Sequence, residues 1–148
     1  MEKWCTKRWQ RLWRSGDGAA AVEFAAILTL LLLIIGGVID FGHYLYLRQV
    51  ATNASREGAR FGSVYNTPRV TEAQIRSYVQ NKFGPSLGYR DGSGPNVVVT
   101  GAGGASGTDL TVTVSGVKQW FFLDWLIKNL DVAEALQKPT GVTTMKLE

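Results

Sequence analysis

Gly18-Ala19-Ala20-Ala21-Val22-Glu23-Phe24 opens an apolar run that continues to Ile39. From Ala19 to Ile39 there are 21 residues and a single charge, on Glu23. At about 1.5 Å of rise per residue, a helix of this length matches the hydrocarbon thickness of a bilayer, which predicts a membrane span. Charge is costly in lipid, so an ionisable residue inside a span marks a functional position by default. The plainer alternative places Glu23 at the headgroup level with no special role. Its surroundings argue for more: Gly18 lies five residues before it, a basic stretch precedes that glycine, and Phe24 follows directly. A secretory signal would have a shorter apolar core, about 7–15 residues, followed by a small-x-small cleavage site. This run ends in Val38-Ile39-Asp40-Phe41 instead, so removal after it is not expected.

The 148 residues carry a net charge of +4, and its distribution matters more than its size. Lys3, Lys7, Arg8, Arg11 and Arg14, against Glu2 and Asp17, hold most of the excess, leaving a nearly neutral remainder. A nucleic-acid binder needs its cations on the working domain, so that class is set aside. Positive flanks stay cytoplasmic, which predicts an inside N-terminus and an outside C-terminal domain. Trp4, Trp9 and Trp13 alternate with the basic residues, either as an interfacial anchor or as incidental members of an ordinary flank. Cys5 is the only cysteine and His43 the only histidine, on opposite sides of the expected span. An intramolecular disulfide is therefore excluded, and neither a Cys/His metal site nor a Ser-His-Asp or Cys-His constellation is expected. No metal, cofactor or catalytic residue is expected, and the chain reads as a substrate of catalysis rather than an enzyme.

Gly18 followed five residues later by Glu23-Phe24, behind a basic flank, resembles the cleavage signal of type IV-like prepilins. That resemblance implies a membrane-embedded prepilin peptidase cutting between Gly18 and Ala19, which makes Glu23 the fifth mature residue. Beyond the span, Leu47, Ala51, Ala54, Gly58, Phe61 and Tyr65 recur at helical spacing, with Arg48, Gln49, Thr52, Asn53, Arg56 and Arg60 outside that face. The helix is thus expected to continue to Tyr65, on the order of 70 Å from Ala19. Ala54, Gly58 and Gly62 form a smooth strip for close approach of another backbone, either a second helix or the chain's own sheet. Asp40-Phe41-Gly42, Arg48-Gln49-Val50-Ala51-Thr52-Asn53-Ala54 and Ser55-Arg56-Glu57-Gly58-Ala59-Arg60 are similar to the block that follows the span in TadE-like proteins. These are pilin-like components of the tight-adherence (Flp) pilus system. The string Asn-Ala-x-Arg-Glu-Gly-Ala-Arg carries most of the resemblance. Ser55 stands where the family often has alanine, a change expected to be tolerated at an exposed helical position. Arg56 and Arg60 are either a solvated face or a dock for acidic groups of a neighbouring subunit, with Glu57 offsetting Arg60 locally. Phe24, Arg56, Glu57 and Arg60 are the candidate subunit contacts.

Thr71-Glu72-Ala73-Gln74 reads as a capping box. Ile75, Tyr78, Val79 and Phe83 then line one face of a short helix that Gly84-Pro85 should stop. Asn96 to Thr100 and the alternating Leu110 to Ser115 predict two strands of an antiparallel hairpin across the glycine-rich Gly101–Thr108. Val142 to Leu147 predicts a third. Between them Trp120-Phe121-Phe122-Leu123-Asp124-Trp125-Leu126-Ile127 is too short to span a bilayer. It is either a short helix whose aromatics cover the fold, or an exposed contact patch at Trp120, Phe121, Phe122 and Trp125.

The expected fold class is α+β, a long N-terminal helix packed on a short helix and a small antiparallel sheet. The expected organisation is a basic leader (1–18), a span (19–39), its extramembrane continuation (40–65) and a small α+β domain (66–148). The resemblance implies a pilin-like subunit of the bacterial inner membrane, processed at Gly18-Ala19 and registered in its assembly by Glu23. Its partners would be prepilin peptidase, other pilin-like subunits, the inner-membrane assembly platform and the bilayer, with no nucleic acid. Two alternatives stay open: an uncleaved single-pass scaffold, and a membrane-anchored periplasmic binding module whose site is the Trp120–Ile127 cluster.

Overall fold

The structure, a computed structural model, describes residues 16–87, 94–124, 136 and 138–148. It divides into two compact units, Met1–Val38 and Ile39–Glu148. Helix α1, Gly16–Ser63, contributes to both.

In the first unit, every side chain from Gly18 to Ile35 is exposed. Phe24 is 65% exposed and the leucines and isoleucines from Ile27 onward remain largely open. A helix surface this exposed, and apolar but for Glu23 and Thr29, has no place in water. By length and composition α1 is able to cross a membrane.

The second unit is built on the C-terminal part of α1. Helix α2, Glu72–Phe83, starts at the expected capping box: the Gln74 N–H donates to the Thr71 hydroxyl, and the Thr71 N–H donates to Gln74 Oε1. Ile75 and Val79 are buried on its inner face. A 3₁₀ turn, Gly84–Leu87, follows rather than an abrupt stop, and it buries Leu87. Strands β1 (Asn96–Thr100), β2 (Asp109–Ser115) and β3 (Thr140–Lys146) form an antiparallel sheet in the order β1-β2-β3. Val97 pairs with Val114 and Val99 with Val112, so the alternation of both strands points the same valines inward. The link between β1 and β2 turns at Gly101, whose φ of +86° and closeness to the Asp109 carbonyl leave no room for a Cβ. The expected α+β architecture is the observed one.

Helix α1 meets the sheet through its smallest residues. Ala51, Ala54 and Ala59 are buried in the core shared with the sheet, and Gly141 of β3 lies against the Ala51 carbonyl. A Cβ on Gly58 would stand 2.7 Å from Val79 Cγ2, and one on Gly62 would stand 2.5 Å from Ile75 Cδ1. The smooth strip therefore seats this chain's own α2 and sheet. Two expectations are corrected here. The inner face passes through Gly62 and Ser63 at the end of α1, because α2 and β2 close on Gly62; Tyr65 is exposed, and Phe61 lies at the edge of the face, stacked on Tyr78 of α2 but still 37% exposed. Ser55 is buried, not exposed: its hydroxyl bonds the Thr52 carbonyl at 2.9 Å and the Thr143 hydroxyl of β3 at 2.8 Å.

Candidate functional site

The residues singled out in the sequence fall in three places. Gly18 and Ala19 lie near the start of α1, and Glu23 and Phe24 follow on the same exposed helix. Gly18 adjoins Ala19 in helical backbone.

A second group lies outside the span, on α1 and α2. Arg56 and Arg60 are exposed, and among the described residues neither takes part in an ion pair. Glu57 is turned mainly towards α2 rather than Arg60. Lys82 Nζ donates to its carboxylate at 3.2 Å, and the Tyr78 hydroxyl donates to the same carboxylate at 3.3 Å. The Lys82 ammonium, first by its hydrogen bond and then by its charge, holds the Glu57 carboxyl below the usual carboxylate range, with Arg60 a smaller contributor. Glu57 and Lys82 are each close to half exposed, so water screens the pair and its main effect is to orient. Phe61 stacks on Tyr78 beside it, ring centroids 4.5 Å apart. Glu57, Arg60, Phe61, Val64, Asn66 and Tyr78 surround an open recess of about 270 Å³.

The third place has a centre that the sequence did not reveal. Asp40, directly after the apolar run, is fully buried, as is Lys118, which lies in the segment after β2. Lys118 Nζ donates to Asp40 Oδ1 at 3.1 Å and to the Gln119 carbonyl at 2.6 Å. The backbone N–H groups of Phe121, Phe122 and Leu123 all donate to the same carboxylate, at 2.8–3.2 Å. Burial alone would raise the Asp40 carboxyl, but the Phe122 and Phe121 N–H groups, Lys118 and Leu123 outweigh it and hold the pKa below its ordinary value. Trp120 packs inward, stacked on Tyr44 with Lys118 Nζ 4.9 Å from its ring centroid. His43 Nδ1 and Trp120 Nε1 are buried beside this cluster and, among the described residues, have no hydrogen-bond partner.

The aromatic stretch is thus divided in its roles. Trp120 belongs to the packed interior, whereas Phe121 and Phe122 are 67% and 62% exposed. Their backbone bends around the Asp40 carboxylate, and among the described residues of the stretch Asp124 alone is helical. Trp125 and the rest of the stretch lie outside the described residues, as do Cys5 and the three leader tryptophans. Among the described residues no cluster of His, Cys, Asp or Glu is arranged to hold a metal ion.

The apolar span, the Asp40 position and the Ser55–Arg60 block all sit on α1, and the comparison with known families falls on the same helix. Residues 18–60 match the TadE-like protein family. The TadE-like segment begins at Gly18 and closes on Arg60, taking in Glu23, Asp40 and the Arg56-Glu57-Gly58 block. Helix α2, the sheet and Lys118 lie beyond it. No curated protein and no solved structure matches the chain. The match covers less than a third of the chain. This similarity to the TadE-like family suggests a protein associated with the tight-adherence pilus, and the one helix among the described residues that is long and apolar enough to cross a membrane fits a membrane protein of such a system.

Sequence reasoning missed the Asp40–Lys118 pair. A carboxylate directly after a span reads as a solvated helix position, and Lys118 is one cation in an apolar neighbourhood. The only hint was that Lys118 interrupts the approach to the most apolar stretch of the domain.

Proposed function

We propose that this chain is a pilin-like subunit for assembly of a tight-adherence pilus, made as a precursor and cut after Gly18 by prepilin peptidase. The observation that carries the reading is the family match, which starts at Gly18 and lies on a helix whose membrane-length part is exposed at every position from Gly18 to Ile35. The basic leader keeps the precursor's N-terminus in the bacterial cytoplasm and places the α+β domain in the periplasm. Cleavage frees the α-amino group of Ala19, and the apolar helix holds the subunit in the inner membrane until it enters an assembly.

Glu23 then acts in registration. In lipid an isolated carboxylate and an isolated ammonium each cost several kcal/mol, and pairing offsets much of that. A neighbouring subunit's new N-terminus is the cation of the right kind, so the Glu23 pairing fixes the axial offset between helices more than it adds stability. Arg56 and Arg60, exposed beyond the span, supply cationic contacts for the acidic surface of a neighbour or of the assembly platform. The chain itself performs no catalysis in this scheme.

The deciding experiment is the N-terminal residue of the protein recovered from membranes, by intact mass and peptide mapping. A chain beginning at Ala19 is expected. A chain still beginning at Met1 with the peptidase present would replace this reading with that of an uncleaved scaffold.

A further inference from the structure

Asp40 and Lys118 are an expensive device, since each loses its water on burial and their attraction alone repays this only with good geometry and further hydrogen bonds. The further hydrogen bonds here come from three successive N–H groups, Phe121 to Leu123. The carboxylate therefore holds a particular backbone segment against the helix, and that segment carries two phenyl rings that the domain leaves open. Trp120, one position earlier, is only 8% exposed. The fold thus buries one aromatic of the stretch and presents the next two outward.

The level at which they are presented is fixed by Asp40. It is the residue immediately after Ile39, the end of the apolar run, so groups bonded to its side chain lie within about one helical turn of that end. Ile39 and Phe41, on either side of it, are also more than half exposed. Phenylalanine lacks the polar tip that holds Trp and Tyr at the headgroups, so at the end of a span its ring favours the acyl side of the interface, where the apolar faces of interfacial segments carry Phe, Trp and Leu. An apolar group left open on a domain in water calls for a cover.

We propose that Phe121 and Phe122 are an interfacial membrane anchor. They insert into the boundary between headgroups and acyl chains beside the exit of α1, and Asp40 is the positioning residue that holds them there. The domain is thereby tied to the bilayer at two points, the helix and this aromatic pair. The inference rests on the reading of Ala19–Ile39 as the span, and its test separates the two.

Single cysteines are introduced in a Cys5→Ser background of the full chain at Leu30, Phe122 and Val98. Each is nitroxide-labelled in vesicles of phosphatidylethanolamine and phosphatidylglycerol. Val98 is a 48% exposed position of β1, so its substitution and that of Phe122 leave the core intact. Power saturation then compares collisions with oxygen, which concentrates in lipid, and with a water-soluble nickel chelate. The expected pattern is oxygen dominant at positions 30 and 122 and nickel dominant at 98. Oxygen dominant at 30 with nickel dominant at 122 would overturn the anchor while leaving the span standing. A label at 122 shielded from both reagents would also overturn it, because protein rather than lipid then covers the pair. Nickel access at position 30 would remove the span itself and the anchor with it.

Discussion

At Gly58 and Gly62 one methyl group decides how closely α1 can lie on the domain. A Cβ at position 62 would meet Ile75 Cδ1 and Leu110 Cδ2 at 2.5 and 2.7 Å, the flexible ends of two buried side chains. Those ends must move in a packed interior, so Gly62→Ala is expected to destabilise the domain by about 1–3 kcal/mol. Gly42→Ala is the matched control, because nothing lies within 4 Å of its added carbon. There the gain in helix propensity, up to about 1 kcal/mol, acts alone. Denaturant or thermal unfolding of the detergent-solubilised chain checks both, and an indifferent Gly62→Ala would mean that α1 is not seated this closely. Glu23 belongs to the same scale. Glu23→Ala is expected to leave cleavage after Gly18 intact while abolishing incorporation, read as normal subunit mass with none in the sheared pilus fraction. Normal incorporation would end the pairing role.

The element most exposed to a single substitution is the segment from Lys118 to Leu123. Asp40→Ala strands a buried ammonium and frees three N–H groups at once, a loss of about 3–5 kcal/mol for a broken buried pair. Hydrogen exchange should show it as lost protection at Phe121, Phe122 and Leu123 while the amides of β2 keep theirs. Replacing both charges, as Asp40→Leu with Lys118→Met, is expected to cost less than Asp40→Ala, because no charge is left stranded. The pH dependence has a definite sign. The Asp40 carboxyl titrates below its ordinary value in the folded state. Its contribution is therefore complete above about pH 4 and is lost as pH falls through the folded-state value. Protection at Phe121–Leu123 should fall on acidification below about pH 4 in the native chain, and the drop should be absent in the double variant.

For the molecule as a whole, charge reversal of Arg56 and Arg60 tests whether the exposed arginines serve the assembly or only the solvent. The double Glu variant is expected to fold, to keep the Glu57–Lys82 pair and to insert normally, yet to fail in pilus assembly. Unchanged pili would assign both arginines to a solvated face. Much of the architecture was legible because its causes are local. Thr71 and Gln74 cap α2 within four residues, and Leu110 to Val114 alternate because one face of β2 is covered. Ser55 was misread and Lys118 overlooked because their environments come from far along the chain. Ser55 meets Thr143 across 88 positions and Asp40 meets Lys118 across 78. No periodicity within a window reports such a meeting.

Those same separations set an order of events during synthesis. Helix α2 and the β1-β2 hairpin close over short stretches and form early, whereas contacts between residues this far apart wait on the chain. Ser55 lacks its sheet partner until β3 has been made, and the buried Asp40 has no cation until Lys118 arrives. Until then α2 and β2 can close on Gly58 and Gly62, but Asp40 and Ser55 on the same helix stay without their distant partners. Among the described strands β3 is the last to be made, and it is the one that ends this interval.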